Sequence, residues 1–217
     1  IEGLKQTLST SPKKAKGVKS DIIVSFPNAE GKLESFRVFE ESNFSPELAA
    51  KYPNIKSYVG ESVEKTGANV FFSISPLGLS TMVLNADKSS IFIEPYTKDL
   101  QTYSVYKKNE RTSALNKWEC TIVDAGKVEN KRLNSAVARP NADDSTLRTF
   151  RLALSCTGEY ANYFGSNTTN NNKSFALAAM NNTMTRVNGV FMTDFTAKMV
   201  LIANNDTLIY LNPSTDP

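Results

Sequence analysis

The chain has 217 residues, 40% of them hydrophobic, with 25 Lys and Arg against 22 Asp and Glu for a net charge of +3. It contains no histidine, and Cys120 and Cys156 are its only soft metal ligands. Zinc hydrolases gather three or four imidazole or thiolate ligands on one ion, and Ser–His or Cys–His nucleophiles need an imidazole base, so composition excludes both kinds of site within these residues.

The first twenty residues carry Lys13, Lys14, Lys16 and Lys19 among Ser and Pro. This reads as a charged mobile arm rather than a nucleic-acid patch, because basic residues elsewhere are dispersed. The chain opens at Ile1. The expectation is that an initiator Met and signal peptide were removed, or that the sequence begins inside its gene. No apolar run is long enough to span a membrane.

Residues 21–124 read as a β-rich domain. The β-branched run Ile22, Ile23 and Val24 is closed by Pro27-Asn28 and Gly31, a turn into Leu33–Phe39. Ser45-Pro46-Glu47 starts a helix: the Ser hydroxyl caps it, Pro fits the first position and the acid faces the dipole. Pro53 keeps that helix short. Val70, Phe72 and Ile74 alternate, as do Leu79, Thr81 and Val83. A polar turn over Asn85–Ser90 precedes Ile91 and Ile93, and Trp118, Cys120 and Ile122 alternate again. Short strands at turn-separated spacing predict a mainly antiparallel sheet. Residues 125–145 are polar and interrupted by Pro140, hence a linker. Lys131, Arg132 and Arg139 make it a candidate processing site.

Residues 146–217 change period. Leu147–Cys156 predicts a strand buried on one or both faces, and Gly165–Asn172 a loop with Ser174 as the helix cap beyond it. Met180, Met184, Val187 and Phe191, spaced four, three and four apart, form the stripe of an amphipathic helix. Lys198–Ala203 predicts a second buried strand and Thr207–Leu211 a third. Strand, long crossover helix and strand make a βαβ unit with parallel, right-handed connection. One such unit does not cover both faces of its sheet, so this domain is expected to be incomplete. The fold class is therefore α+β: an antiparallel β-rich domain followed by a first β-α-β unit.

Arg148–Tyr160 (RTFRLALSCTGEY) resembles the first strand of the catalytic domain of bacterial, flavobacterial-type reprolysin-like zinc metallopeptidases of the metzincin clan. Val187-Asn188-Gly189-Val190-Phe191 and Lys198–Asn205 are similar to the family's first helix and second strand. Ser45–Lys56 and Ser75-Pro76-Leu77-Gly78 resemble the prodomain of the same precursors. The resemblance implies a secreted, extracellular zymogen in which residues 21–124 assist folding and keep a zinc endopeptidase latent. It further implies that the remainder of the catalytic domain, and protein or peptide substrates of the parent enzyme, are the partners, with no nucleic acid and no membrane span. The family's H-E-x-x-H-x-x-G-x-x-H zinc helix has no counterpart here, so no catalytic residue is assigned and the chain alone is expected to be inactive. Some reprolysins place a calcium-binding Glu in the first strand; Arg151 stands at the matching position, so calcium is not supported. A non-enzymatic secreted β-rich binding or adhesion module is the competing reading.

The resemblance gives Cys120 a possible role as a prodomain thiolate on the zinc. Its surroundings, Trp118-Glu119-Cys120-Thr121, do not match the usual switch motif, and an apolar strand face also suits a free Cys as a small hydrophobe. Cys156 reads as core. A Cys120–Cys156 disulfide is compatible with an oxidising compartment but would tie the two domains together. The Asn-x-Ser/Thr patterns at Asn167, Asn181 and Asn205 arise easily in an Asn-rich chain and carry little weight. Phe71, Phe72, Phe92, Tyr96, Tyr103 and Tyr106 are explained more simply by strand cores than by a binding face.

Overall fold

A computed structural model describes residues 1–87, 89–108 and 146–216. The expected strand through Trp118, Cys120 and Ile122 and the expected linker at 125–145 lie outside the described residues.

The N-terminal lobe is a seven-stranded antiparallel meander whose strands neighbour one another in chain order: β1 (Ile23–Pro27), β2 (Leu33–Glu40), β3 (Lys56–Ser62), β4 (Asn69–Ser75), β5 (Gly78–Leu84), β6 (Ser90–Pro95) and β7 (Tyr103–Lys107). Alternation explains its first face. Phe36, Val38, Tyr58, Val70, Phe72, Val83, Ile91 and Ile93 point to one core, as period-two side chains must. Tyr58 stacks on Phe72 with ring centroids 5.0 Å apart. The Lys107 ammonium reaches Glu30, in the β1–β2 turn, at 2.6 Å, so the two edges of the sheet curl towards each other.

The first twenty residues are more ordered than a charged arm. Helix α1 (Glu2–Leu8) lays Leu4 and Leu8, one helical turn apart, on the open side of that core, where Leu8 is buried. The main chain at Lys13 makes an isolated parallel β-bridge to Glu40 on β2, with Lys14 N–H donating to the Glu40 carbonyl and Glu40 N–H to the Pro12 carbonyl. Two apolar positions at i and i+4 suffice to dock a single turn, a signal outweighed in the sequence by the lysines around it.

Helix α2 (Pro46–Lys51) follows its sequence: Ser45 Oγ accepts from the Leu48 N–H at 3.4 Å, and Pro46 occupies the first turn. After it, β3 carries Ser57, Tyr58, Val59 and Gly60 buried in succession. This strand has no alternation because both of its faces are covered, and sequence periodicity missed it.

The C-terminal lobe comprises β8 (Arg148–Leu152), α3 (Gly158–Tyr163), α4 (Ser174–Phe195) and β9 (Ala197–Leu201). Strands β8 and β9 pair in parallel from Arg148↔Ala197 to Leu152↔Leu201, with α4 as the crossover, so the β-α-β expectation and the α+β class hold. Three local expectations are corrected. Strand β8 is exposed along nearly its whole length, with Phe150 55% exposed, because only β9 pairs with it among the described residues. Ser174 is not the helix cap: it is the first residue of α4, and Lys173 precedes it without a side-chain capping bond. The predicted third strand is a 3₁₀ turn (Asn205–Leu208), with a single parallel bridge from Ile209 to Cys156. Helix α4 ends at Thr196, whose φ of 51° places a β-branched residue in the left-handed region.

Candidate functional site

The feature that the fold constructs with most care is the interface between the lobes. Helix α4 lies across the sheet face opposite the first core, where Phe39, Val59, Phe71 and Met82 are buried and Met192 of the helix packs on them. The approach is close at Gly189. A β-carbon there would stand 2.7 Å from Met82 Cε and 2.8 Å from Phe71 Cγ, so only a residue without one fits.

Within this contact sits a cluster of side-chain amides. Asn43, between β2 and α2, is 3% exposed, and its partners all come from α4 and β9 or from neighbouring β3. Its Nδ2 donates to Thr185 Oγ1 at 2.8 Å and to Asn181 Oδ1 at 3.0 Å, and its Oδ1 accepts from Asn188 Nδ2 at 2.9 Å. Asn181, Thr185 and Asn188 recur at helical spacing, so one face of α4 presents all three. The hydroxyl of Thr185 also donates to the Asn181 carbonyl at 2.8 Å.

The same residues finish the outer edge of β9. An unpaired strand edge leaves N–H and C=O groups open. The Asn188 amide closes one position as a peptide would: Met199 N–H donates to its Oδ1, and its Nδ2 donates to the Met199 carbonyl, both at 2.8 Å. At the next outward-facing residue, Leu201 N–H donates to the Asn43 carbonyl at 2.8 Å and Ser45 N–H donates to the Leu201 carbonyl at 2.9 Å. Residues 43–45 thus add to the C-terminal sheet as a short parallel strand, bridged at Phe44↔Leu201.

Two charge pairs flank the amides. Lys198, 7% exposed, is paired with Glu41, whose side chain is 15% exposed. Arg186 of α4 pairs with Glu94 of β6, donates to Ser80 Oγ at 2.9 Å and lies 5.1 Å from the centre of the Phe92 ring. At the far end, Tyr52 Oη donates to Asp206 Oδ2 at 3.4 Å and Lys51 is 3.4 Å from the same carboxylate. Burial first, and the Asp206 charge second, push the Tyr52 hydroxyl above its ordinary pKa. Phe44, Leu48 and Ile55 of the N-terminal lobe are buried in one core with Leu177, Met180, Met184 and Leu201.

Cys120 lies outside the described residues, so the position of that thiol relative to any metal ligand is not part of this geometry. Cys156 is a half-buried thiol beside Leu154 and Tyr160, with no disulfide partner among the described residues. Burial pushes it above the usual thiol range, and this outweighs both a backbone hydrogen bond from Tyr210 and the charge of Lys173. Two of the three glycosylation patterns are closed to a glycan in the folded protein: Asn181 is 1% exposed and Asn205 is fully buried. The Asn205 amide repeats the device of Asn188, accepting from Leu154 N–H at 2.8 Å and donating to the Leu154 carbonyl at 3.0 Å.

Sequence reasoning found the apolar stripe of α4 but passed over its polar companion. Asn181, Thr185 and Asn188 stand one position beyond Met180, Met184 and Val187. A helix with an apolar stripe and a short-polar stripe side by side is one buried on two sides, and that was the available signal.

Residues 146–217 match a family model described as Metallo-peptidase family M12B Reprolysin-like. No curated protein and no solved structure matches the chain. The match supports a reprolysin-like metallopeptidase, hence a protease-related role for the C-terminal lobe, in a family that typically uses zinc. The residues present do not fit that ion. No group of three or more His, Cys, Asp or Glu side chains able to hold a metal occurs among the described residues, and the whole chain lacks His. No helix among the described residues is long and apolar enough to cross a membrane.

Proposed function

We propose that this chain is the propeptide and the first part of the catalytic domain of a secreted zinc-dependent endopeptidase made as a latent precursor, with the N-terminal lobe as folding template and inhibitor. The observation that carries the reading is a coincidence of two boundaries. The peptidase-family match covers residues 146–217, and that same segment is the one whose helix, strand edge and core are completed by residues 41–55 and by the β4–β6 face. A lobe that supplies a strand and three core side chains to another lobe is well placed to template its folding.

Proteins or peptides are the substrates that the family match implies, cleaved with metal ligands and a general base that are not among these residues. Residues 125–145, with Lys131, Arg132 and Arg139, are the proposed activation segment. The test is the parent gene and its product. An H-E-x-x-H helix encoded within roughly a hundred residues after Pro217, the reach of one domain, is expected, together with a precursor that gains peptidase activity on processing. A stop codon at that point overturns the reading in favour of a β-rich binding module, and a precursor already fully active before processing overturns the latency.

A further inference from the structure

We infer that the N-terminal lobe remains bound to the C-terminal lobe as a non-covalent partner when the chain is cut between residues 108 and 146, so that cleavage there does not by itself separate them. The contacts responsible do not depend on the connecting segment, since all of them run between described residues on either side of it.

Three independent parts of the interface argue for persistence. The first is main-chain pairing. Residues 43–45 extend the C-terminal sheet at the β9 edge, which is how proteins capture a peptide strand in trans, with backbone hydrogen bonds for affinity and side-chain pockets for fit. Here the pocket holds Phe44, 4% exposed, in the core of the other lobe. The second is the amide cluster. If the lobes part, Asn43 loses Asn181, Thr185 and Asn188 together, and Leu201 loses both main-chain partners. The third is shape. Gly189 meets Phe71 and Met82 at a distance that admits no β-carbon, which is the density of a protein interior rather than of a loose domain contact. The Lys198–Glu41 pair that crosses the interface is sheltered from solvent, where salt screens poorly.

This association goes beyond the proposed latency and does not require it. Only one consequence rests on the zymogen reading: the first cut would leave the inhibitor in place, and a second event, such as degradation of the N-terminal lobe, would free the enzyme.

The experiment replaces part of residues 125–145 with a recognition sequence for a specific protease, folds the full chain, cuts it to completion and applies it at low micromolar concentration to size-exclusion chromatography and native mass spectrometry. Both fragments are expected in one species, in low salt and in molar salt alike. Separate elution, or precipitation of either fragment after cutting, overturns the inference. Gly189→Leu in the same chain is expected to weaken association at least ~10-fold, the equivalent of one strained contact, and persistence at wild-type strength would overturn the interface as its seat. Should that variant not fold uncut, Asn43→Ala gives the same readout from the sheet side. Fragment association is read without any peptidase assay, so its failure is distinct from a failure of the zymogen proposal.

Discussion

The side-chain amide of Asn188 hydrogen-bonds the N–H and the carbonyl of Met199 at 2.8 Å each, while its Nδ2 also reaches Asn43 Oδ1 at 2.9 Å. A helix residue thereby occupies the edge of the strand that follows it and holds the other lobe at the same time. Asn188 is 1% exposed, so water does not replace these partners when the amide is lost.

Asn188→Ala is accordingly expected to lower stability by about 3 kcal/mol, since it strands the Met199 N–H, the Met199 carbonyl and Asn43 Oδ1 without partners in a buried site. Urea denaturation followed by circular dichroism measures the change. A loss below about 1 kcal/mol, the value of one ordinary hydrogen bond, would show that the site relaxes to admit water.

The pair Lys198–Glu41 crosses the interface with both side chains largely buried. Lys198→Met leaves the Glu41 carboxylate without its cation and is expected to cost about 3 kcal/mol at neutral pH. Combining it with Glu41→Gln should recover a large part of the loss, because the desolvated charge disappears. A double-mutant cycle in urea provides the measurement, and additive single effects would count against direct coupling.

Tyr58 is pushed up to about 12, by burial first and by the Glu40 charge second. An unfolded tyrosine ionises near ~10, so the folded state favours the neutral phenol. Its contribution is complete below the unfolded value and is lost as pH rises from there through the folded one, since the unfolded chain then binds fewer protons. Burial raises Tyr160 in the same direction. Urea midpoints measured at pH 9 and upward are expected to fall with this profile, and Tyr58→Phe, which keeps the stack on Phe72, should flatten the fall.

Gly78 closes the β4–β5 hairpin with φ of +91°, and a β-carbon there would lie 2.8 Å from Tyr103 Oη. That hydroxyl accepts the Leu79 N–H at 3.3 Å. Gly78→Ala combines a left-handed backbone penalty with a displaced tyrosine and is expected to destabilise by about 2 kcal/mol. A lowered melting temperature with an unchanged far-ultraviolet spectrum is the expected result.

Cys156 is expected to alkylate more slowly at pH 8 than a thiol of ordinary pKa, and to gain rate steeply above it, because burial disfavours its thiolate. Peptide mapping by mass spectrometry after iodoacetamide treatment distinguishes it from Cys120. Fast reaction at neutral pH would contradict the burial.

Much of the fold was legible because it rests on local chemistry. Ser45-Pro46-Glu47 carries its own cap and start signal, the Val70–Phe72–Ile74 alternation defines a face, and the Met180–Met184–Val187 stripe defines a helix. Strand β3 was missed because burial on both faces erases period two, and β8 was expected to be buried because apolar composition does not say whether a neighbour is present. The predicted strand Thr207–Leu211 carries Leu208, Ile209 and Leu211, a pattern consistent with a strand, until its start is seen to lie in the 3₁₀ turn Asn205–Leu208 with the Asn205 amide tied to Leu154.

By itself the sequence determined that these residues cannot assemble a histidine-based zinc site, that an antiparallel β region precedes a parallel β-α-β unit, and that the latter resembles the start of a reprolysin-like domain. Only the tertiary structure decided that the two regions are built into each other. Asn43 and Asn188, Glu41 and Lys198, and Gly189 and Phe71 are distant in the chain and unremarkable in composition. Their meaning is relational: an amide becomes a strand edge, and a missing β-carbon becomes a contact, only when folding brings the complementary surface against it.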